Sequence, residues 1–285
     1  MIRLGYVYPA GKLLKPPKRK LTEERLIDSG RENLLRLADA LEWNAEHEIK
    51  LFRIPLDSIP FNPKTDPKTW KKKLDVEGEV IGQFIRKNRM RIFMHTSPQY
   101  YLSAQDPANL RQSIGEIEHC SATLDLLGLG SSAKIITNIG RIPKRRKATA
   151  KRFISNFSRL SLRAQERIVV ENDDLHWSFY DAFGVAGKLH IPIVFNYPAF
   201  LRNKFTDLSP QDIIKVAAIS WEKDDGRQKV HYSENVRGQK KKNTISKKAF
   251  LKFHEEIRGL RADVVLHTEE GGRSVLKAQE LMKQV

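Results

Sequence analysis

Eight short apolar segments of this sequence each run into a polar or aromatic residue at the same relative position. In chain order these residues are Tyr6, Arg53, His95, Asn138, Glu171, Asn196, His231 and His267. Imidazole nitrogens and a carboxylate that converge can hold a divalent cation such as Zn²⁺, Mn²⁺ or Fe²⁺. We therefore interpret His95, Glu171, His231 and His267 as candidate metal ligands, with Asn138 and Asn196 as weaker oxygen ligands or partners of bound water. The alternative, for any one histidine, is a core residue whose ring is simply hydrogen-bonded.

Convergence requires that the apolar segments are strands of one parallel sheet. Strand-like segments occupy residues 2–8, 51–54, 92–94, 133–137, 167–170, 191–195, 228–232 and 263–266, and a helical pattern follows each of them. Residues 70–86, for example, have the pattern of one helix, and Asp106-Pro107 has the form of a helix start. Eight consecutive strand-then-helix units predict an α/β fold, a single (β/α)8 TIM barrel domain over residues 1–285. An open doubly wound sheet is the alternative, but eight units use almost the whole chain.

The net charge points to a polyanionic partner. The chain has 51 Lys and Arg against 34 Asp and Glu, a formal charge of +17. Three loops that follow strands carry most of the clustered cations, namely Lys18 and Arg19, then Lys144, Arg145 and Arg146, and finally Lys240 and Lys241. All three loops are expected on the face that holds the strand-end residues, which favours contact with a nucleic-acid backbone over an ordinary solvated surface.

Other features narrow the class of protein. No Gly-x-Gly-x-x-Gly or P-loop lysine motif follows a strand, so a nucleotide cofactor is not expected. Cys120 is the only cysteine, and the sequence contains neither a secretory signal nor an apolar run long enough to cross a membrane. We expect a soluble, cytoplasmic protein without a membrane partner.

The loop after His95 contains Gln99, Tyr100 and Tyr101. Exposed Tyr and Gln side chains can stack on bases, bond to them, or wedge into a duplex where a lesion weakens stacking. The alternative is that a tyrosine packs over the barrel mouth.

At this point the sequence resembles the ultraviolet-damage endonucleases, TIM barrels similar to endonuclease IV. The resemblance rests on motifs in order along most of the chain: Leu4-Gly5-Tyr6, Leu51-Phe52-Arg53-Ile54 with Ile59-Pro60-Phe61, Met94-His95 with Gln99-Tyr100, Val170-Glu171-Asn172-Asp173, Ile191-Pro192-Ile193-Val194, and Lys229-Val230-His231. It implies metal-dependent incision of double-stranded DNA on the 5′ side of lesions, with a manganese-type cluster.

The resemblance also implies roles for single residues. His95, Glu171 and His231 match metal ligands, and Lys229 matches a lysine beside the cluster that can be modified. Gln99 and Tyr100 match the residues that probe the damaged pair, and Tyr6 matches a tyrosine near the site. On this basis the candidate catalytic residues are Glu171, His231 and Lys229, and Tyr6, Gln99 and Tyr100 join the basic residues as DNA contacts.

Departures from the family pattern concern the ligands. Asn138 stands where a histidine is expected and Asn196 where an aspartate is expected; Ala199, a residue near Lys241, and His267 replace three further ligands. Glu171 is then the one clear carboxylate, so we expect fewer than three ions, Mn or Zn, or none at all. A site of Glu171, His231 and His267, with His95 nearby, would suit one metal ion.

Three hypotheses follow. The first is a monomeric DNA-repair endonuclease of this family with a reduced metal centre, acting on damaged double-stranded DNA. The second is a catalytically impaired or inactive member that binds damaged or structured nucleic acid without cutting it. The third is a sugar-phosphate isomerase or epimerase on the same scaffold.

Overall fold

A computed structural model describes residues 2–9, 12–15, 22–142, 144–203, 206–234 and 244–284. Eight parallel strands follow one another around a closed barrel, and the last strand pairs with the first. The strands are β1 (Arg3–Val7), β2 (Leu51–Arg53), β3 (Arg91–His95), β4 (Ile135–Thr137), β5 (Ile168–Glu171), β6 (Ile193–Asn196), β7 (Lys229–Tyr232) and β8 (Asp263–Leu266). The predicted (β/α)8 TIM barrel is confirmed, and the open sheet is excluded by the pairing of β8 with β1.

Helices surround the barrel. They are α1 (Glu23–Glu46), α2 (Pro67–Lys73), α3 (Asp75–Lys87), α4 (Pro107–Leu126), α5 (Arg146–Phe157), α6 (Leu162–Arg167), α7 (Phe179–Leu189), α8 (Tyr197–Arg202), α9 (Pro210–Ala218), α10 (Lys247–Glu256) and α11 (Gly272–Met282). Asp106 caps α4 by accepting a hydrogen bond from the backbone N–H of Asn109 at 2.8 Å, with Pro107 in the first turn. The sequence signal for this helix start is therefore correct.

One predicted helix is two. The segment predicted as a helix over residues 70–86 breaks at Leu74, whose backbone leaves the helical conformation (φ −115°, ψ 14°) and whose side chain is fully buried. No Gly or Pro marks this position, so the break is set by tertiary packing of the leucine and not by local preference.

The interior of the barrel has three layers of inward-facing side chains. The middle layer is apolar and consists of Leu51, Phe93, Ile136, Val169, Val194 and Val265, which we call the septum. Gly5 lies opposite Leu51, where an added Cβ would stand 2.3 Å from the Leu51 carbonyl oxygen, so only glycine fits there.

Below the septum, at the N-terminal ends of the strands, lies an ionic layer that we call the floor: Arg3, Arg91, Lys134, Asp225 and Asp263. Arg91 pairs with the fully buried Asp263 and also donates to the carbonyl oxygen of Arg227 at 2.6 Å. Above the septum, at the C-terminal ends, the strand-end residues form the mouth of the barrel.

Candidate active site at the barrel mouth

Glu171, the last residue of β5, is the centre of the mouth. Its side chain is buried, and both carboxylate oxygens are engaged: Oε1 lies 2.8 Å from Nε2 of His95, and Oε2 lies 2.9 Å from Nδ1 of His231. Asn196 adds a third contact, since its Nδ2 donates to Oε2 at 3.3 Å. Three of the residues selected from the sequence are thus joined directly to Glu171.

These contacts control the ionisation of Glu171. Burial by itself would raise the pKa of Glu171, but the proximity of His95 and His231 and their hydrogen bonds outweigh burial and hold that pKa well below its usual range. The ionised carboxylate accepts, so His95 donates from Nε2. Nδ1 of His95 lies 2.7 Å from the carbonyl oxygen of Thr96, so both ring nitrogens of His95 are engaged by the protein.

His231 differs from His95. Burial lowers the pKa of His231 against the opposing charge of Glu171. With Nδ1–H donated to Glu171, the neutral ring carries its lone pair on Nε2, and this buried atom has no hydrogen-bond partner among the described residues. His231 is thus arranged as a proton acceptor held by a carboxylate, the geometry of a general base.

His267 and Arg53 complete the mouth. The His267 ring centre lies 4.4 Å from that of His231, and burial lowers the pKa of His267, assisted by the charges of His231 and Arg53. Burial lowers the pKa of the Arg53 guanidinium to about 10, in spite of the nearby charge of Glu171. Arg53 therefore remains charged at neutral pH. The sequence pattern puts Arg53 at a strand end, but arginine is not a metal ligand, so the pattern alone indicates no function for this residue.

The donor set does not fit a divalent-metal cluster. A metal ligand needs a free lone pair. Both nitrogens of His95 and Nδ1 of His231 are engaged in hydrogen bonds, which leaves Nε2 of His231 as one available ligand atom, too few for a cluster of several ions. The amide oxygen of Asn196 caps α8 by accepting from Ala199 N at 3.1 Å, and no hydrogen bond joins the Asn138 side chain to this group within the described ranges. Across the part of the chain that the structure describes, no three His, Cys, Asp or Glu side chains are arranged to hold a metal ion.

Lys229 lies on the other side of the septum from Glu171. Its amine is 5.3 Å from the ring centre of Phe93 and 4.9 Å from that of Trp221, and it is fully buried. Its electrostatic neighbours are the floor residues Arg91, Asp263 and Lys134. The candidate catalytic lysine therefore faces the floor in this structure.

The loop with Gln99 and Tyr100 is held in place from below. The backbone N–H and the hydroxyl of Ser97 donate to the two carboxylate oxygens of the buried Glu116, at 2.5 and 2.9 Å. A turn follows, in which Tyr100 N donates to Ser97 O at 3.1 Å. Gln99 is exposed and Tyr100 half-buried at the tip of this turn, so both lie on the mouth side of a fixed loop.

Tyr6 faces outward from β1 and not into the barrel. Its ring packs 4.9 Å from Phe52 and is buried, and burial raises the pKa of its hydroxyl. It lines a cavity of about 970 Å³ together with Trp43 of α1 and Gly271 before α11. Tyr6 therefore borders a pocket beside the mouth.

The basic residues before and in the first turn of α5 are on the surface. Lys144, Arg145 and Arg146 are exposed, and Arg146 donates to the carbonyl oxygen of His176 at 3.0 Å and pairs with Asp181 at 3.3 Å. Lys18, Arg19, Lys240 and Lys241 lie outside the described residues. None of the described helices is long and apolar enough to cross a membrane.

Comparison with known proteins identifies the relatives of this chain. A family model described as UV-endonuclease UvdE matches residues 10–269. A UV DNA damage endonuclease of Clostridium perfringens (strain 13 / Type A) is 30% identical over 272 residues, which are 94% of this chain and 66% of that protein. The chain thus spans about two thirds of this relative, and 36% and 37% of UV-damage endonucleases from Neurospora crassa and Schizosaccharomyces pombe.

Solved structures agree. The crystal structure of SacUVDE superposes with a TM-score of 0.90 at 30% identity, covering 100% of this chain and 99% of that one. Endonuclease IV from Thermus thermophilus, 12% identical with a TM-score of 0.59 over 99% of this chain and 100% of its own, shares the fold alone. Endonucleases of the UvdE family are generally metal-dependent.

Proposed function

The chain belongs to the UV-endonuclease UvdE family, and from this premise we propose that it is a DNA-repair endonuclease, one barrel domain acting as a monomer, that incises double-stranded DNA on the 5′ side of lesions. The observation that supports incision most directly is the carboxylate of Glu171 held between His95 and His231 at the mouth. This family membership leaves the isomerase hypothesis without support.

The residues of the mouth supply the acid–base part of such a reaction. Glu171 fixes the tautomer of His231, and the lone pair on His231 Nε2 takes the proton of the attacking water. His95 holds the other oxygen of Glu171 and so positions the carboxylate that orients His231. Because the donor set does not fit a metal cluster, no step of this proposal passes through a metal ion.

DNA binding uses the same face of the barrel. In this proposal Gln99 and Tyr100 contact the bases at the lesion, and Tyr6 borders a pocket beside it. The exposed cations Lys144, Arg145 and Arg146 contact phosphates, together with Lys18, Arg19, Lys240 and Lys241 outside the described residues.

The test is nicking of ultraviolet-irradiated supercoiled plasmid. We expect the purified protein to convert irradiated plasmid, but not unirradiated plasmid, to the open circle, and Glu171→Gln and His231→Gln to lose this activity while keeping the wild-type circular dichroism spectrum. Parallel reactions with Mn²⁺ and with EDTA measure any dependence on metal. If the Clostridium perfringens relative nicks the same plasmid and this protein does not under either condition, the proposal is wrong.

A second candidate function is lesion binding without incision. It is favoured by the amide and the imidazole, Asn196 and His267, that stand where the family pattern has carboxylates. It predicts a salt-sensitive gel shift that is stronger for a lesion-containing duplex than for the matched intact duplex, with both strands uncut. Weakening of that shift in Tyr100→Ala, with no cut product in any lane, would select it over the first candidate.

A further inference from the structure

At the mouth of the barrel, the described residues include a carboxylate and a guanidinium that form no hydrogen bond with each other. Glu171 is the carboxylate at its centre, and both of its oxygens are already engaged by His95 and His231. Arg53, at the end of β2, adds a guanidinium within electrostatic range of Glu171, His231 and His267. Glu171 therefore has both oxygens occupied by the two imidazoles, and the guanidinium of Arg53 is available to an anion.

Arg53 is unlike the other partly or fully buried arginines of the barrel. Arg91 is paired with Asp263, and the buried Arg167 contacts Asp125 at 2.9 Å and donates to the carbonyl oxygen of Ser121 at 2.7 Å. Within the described residues, the guanidinium of Arg53 makes neither a hydrogen bond nor an ion pair, although its surroundings leave it only partly exposed. A desolvated guanidinium whose N–H groups have no acceptor is unfavourable unless a ligand supplies one.

A second unpartnered atom lies beside it. His231 Nε2 is buried and has no hydrogen-bond partner among the described residues. A guanidinium presents a planar fork that binds two oxygens of a phosphate at once. An oxyanion on Arg53 would thus supply acceptors to the guanidinium in the same part of the mouth as the free lone pair of His231.

We infer that Arg53 is the phosphate-binding residue of this site, and that its guanidinium holds the DNA backbone phosphate directly, without an intervening metal ion. This deepens the proposed function, on which it rests for the identity of the phosphate as one of DNA. It also explains why the mouth has fewer carboxylates than the family pattern, because additional carboxylates would repel a phosphate that is bound through a fixed cation.

The experiment measures binding of inorganic phosphate to the full chain after dialysis against EDTA, by ³¹P line broadening or calorimetry. We expect wild type to bind phosphate and Arg53→Met to bind it roughly tenfold more weakly or worse, as for loss of a charged hydrogen-bonding group. Arg53→Lys keeps the charge but not the fork, and should fall between the two. Arg159→Met, a change at an exposed arginine after α5 that has no part in the proposed binding site, controls for the general loss of positive charge.

Each outcome decides the inference. Equal phosphate affinity of wild type and Arg53→Met, or equal weakening by Arg159→Met, overturns it, as does phosphate binding that appears only after Mn²⁺ is added. If Arg53→Met does not fold by circular dichroism, Arg53→Lys carries the test, and unchanged binding in that variant overturns the role of the fork. The binding experiment contains no DNA, so loss of phosphate binding in Arg53→Met supports the inference even if the protein is found not to nick DNA. If Arg53→Met still nicks irradiated plasmid, the inference about Arg53 is wrong, whereas the proposed endonuclease function is unaffected.

Discussion

Replacement of Lys229 by methionine should make the protein more stable, and by an amount that depends on pH. The Lys229 amine is fully buried between Phe93 and Trp221 and has no hydrogen-bond partner among the described residues. Burial, together with the charge of Arg91, lowers its pKa well below the ordinary value of 10.5. Contact with the two aromatic rings favours the charged form by about 0.5–2 kcal/mol, which is less than a buried charge loses in hydration.

The magnitude has two parts. An unsatisfied buried polar group costs about 1–3 kcal/mol, and methionine removes it while filling nearly the same volume. The second part is linkage. Between the lowered pKa of the folded state and the ordinary lysine value, the unfolded chain binds a proton that the folded chain does not, so wild-type stability rises with pH by about 1.4 kcal/mol per unit. The methionine variant has no such dependence from this position.

The assay is urea unfolding followed by circular dichroism at about pH 7.5 and about pH 9.5, both below the ordinary lysine value. We expect Lys229→Met to exceed wild type in free energy of unfolding at the lower pH, and this difference to shrink at the higher pH, by up to about 1.4 kcal/mol per pH unit. Lys188→Met, at an exposed position of α7, should show neither effect. A variant less stable than wild type at the lower pH, or a difference that is the same at both values, would refute the reasoning.

Three further expectations concern other parts of the fold. Gly5→Ala should destabilise the barrel by several kcal/mol, since its Cβ would stand 2.3 Å from the Leu51 carbonyl oxygen; a thermal melt equal to that of wild type would contradict this. Burial lowers the pKa of His119 from 6.5 to about 4, so stability should fall by about 3 kcal/mol as pH drops through that interval, because the unfolded chain takes up the proton first; His119→Gln should remove this part of the pH profile in urea unfolding. Glu116→Ala removes the acceptor for the backbone N–H and the hydroxyl of Ser97, which anchor the loop that carries Gln99 and Tyr100. This variant should weaken binding to lesion-containing duplex as Tyr100→Ala does. Binding to intact duplex in the same gel-shift series should not change.

The sequence predicted the barrel because its signals are local and repeated. Each strand is a short apolar run, and helix starts such as Asp106-Pro107 are marked by residue type. The position of Leu74 was not predictable in this way, since the helix breaks there to bury a leucine that would also suit a helix interior. The start of the short helix α8 is also ambiguous in the sequence, because its N-cap, Asn196, has a residue type that suits a metal ligand as well as a helix cap.

The site was predictable in its membership but not in its contacts. Strand-end position brings His95, Glu171, His231 and His267 to one mouth, as expected. That Glu171 bonds directly to two imidazoles depends on side-chain distances of ångström scale, which no spacing in the sequence reports. The direction of Lys229 along the barrel axis is of the same kind, because period-two alternation fixes whether a side chain faces inward but not whether it extends up or down.

The septum divides the barrel into two electrical compartments. The floor and the mouth both contain buried charged groups, and the six apolar side chains of the septum lie between them. On β7, Lys229 lies in the floor compartment and His231, two positions later, lies in the mouth. In the floor, the ion pairs of Arg3 and Arg91 with Asp263 link the strands, and these pairs do not involve the residues at the mouth. Ligands at the mouth can therefore be exchanged one strand end at a time while the scaffold keeps its register, and that separation lets the chemistry of the barrel change while its folding stays the same.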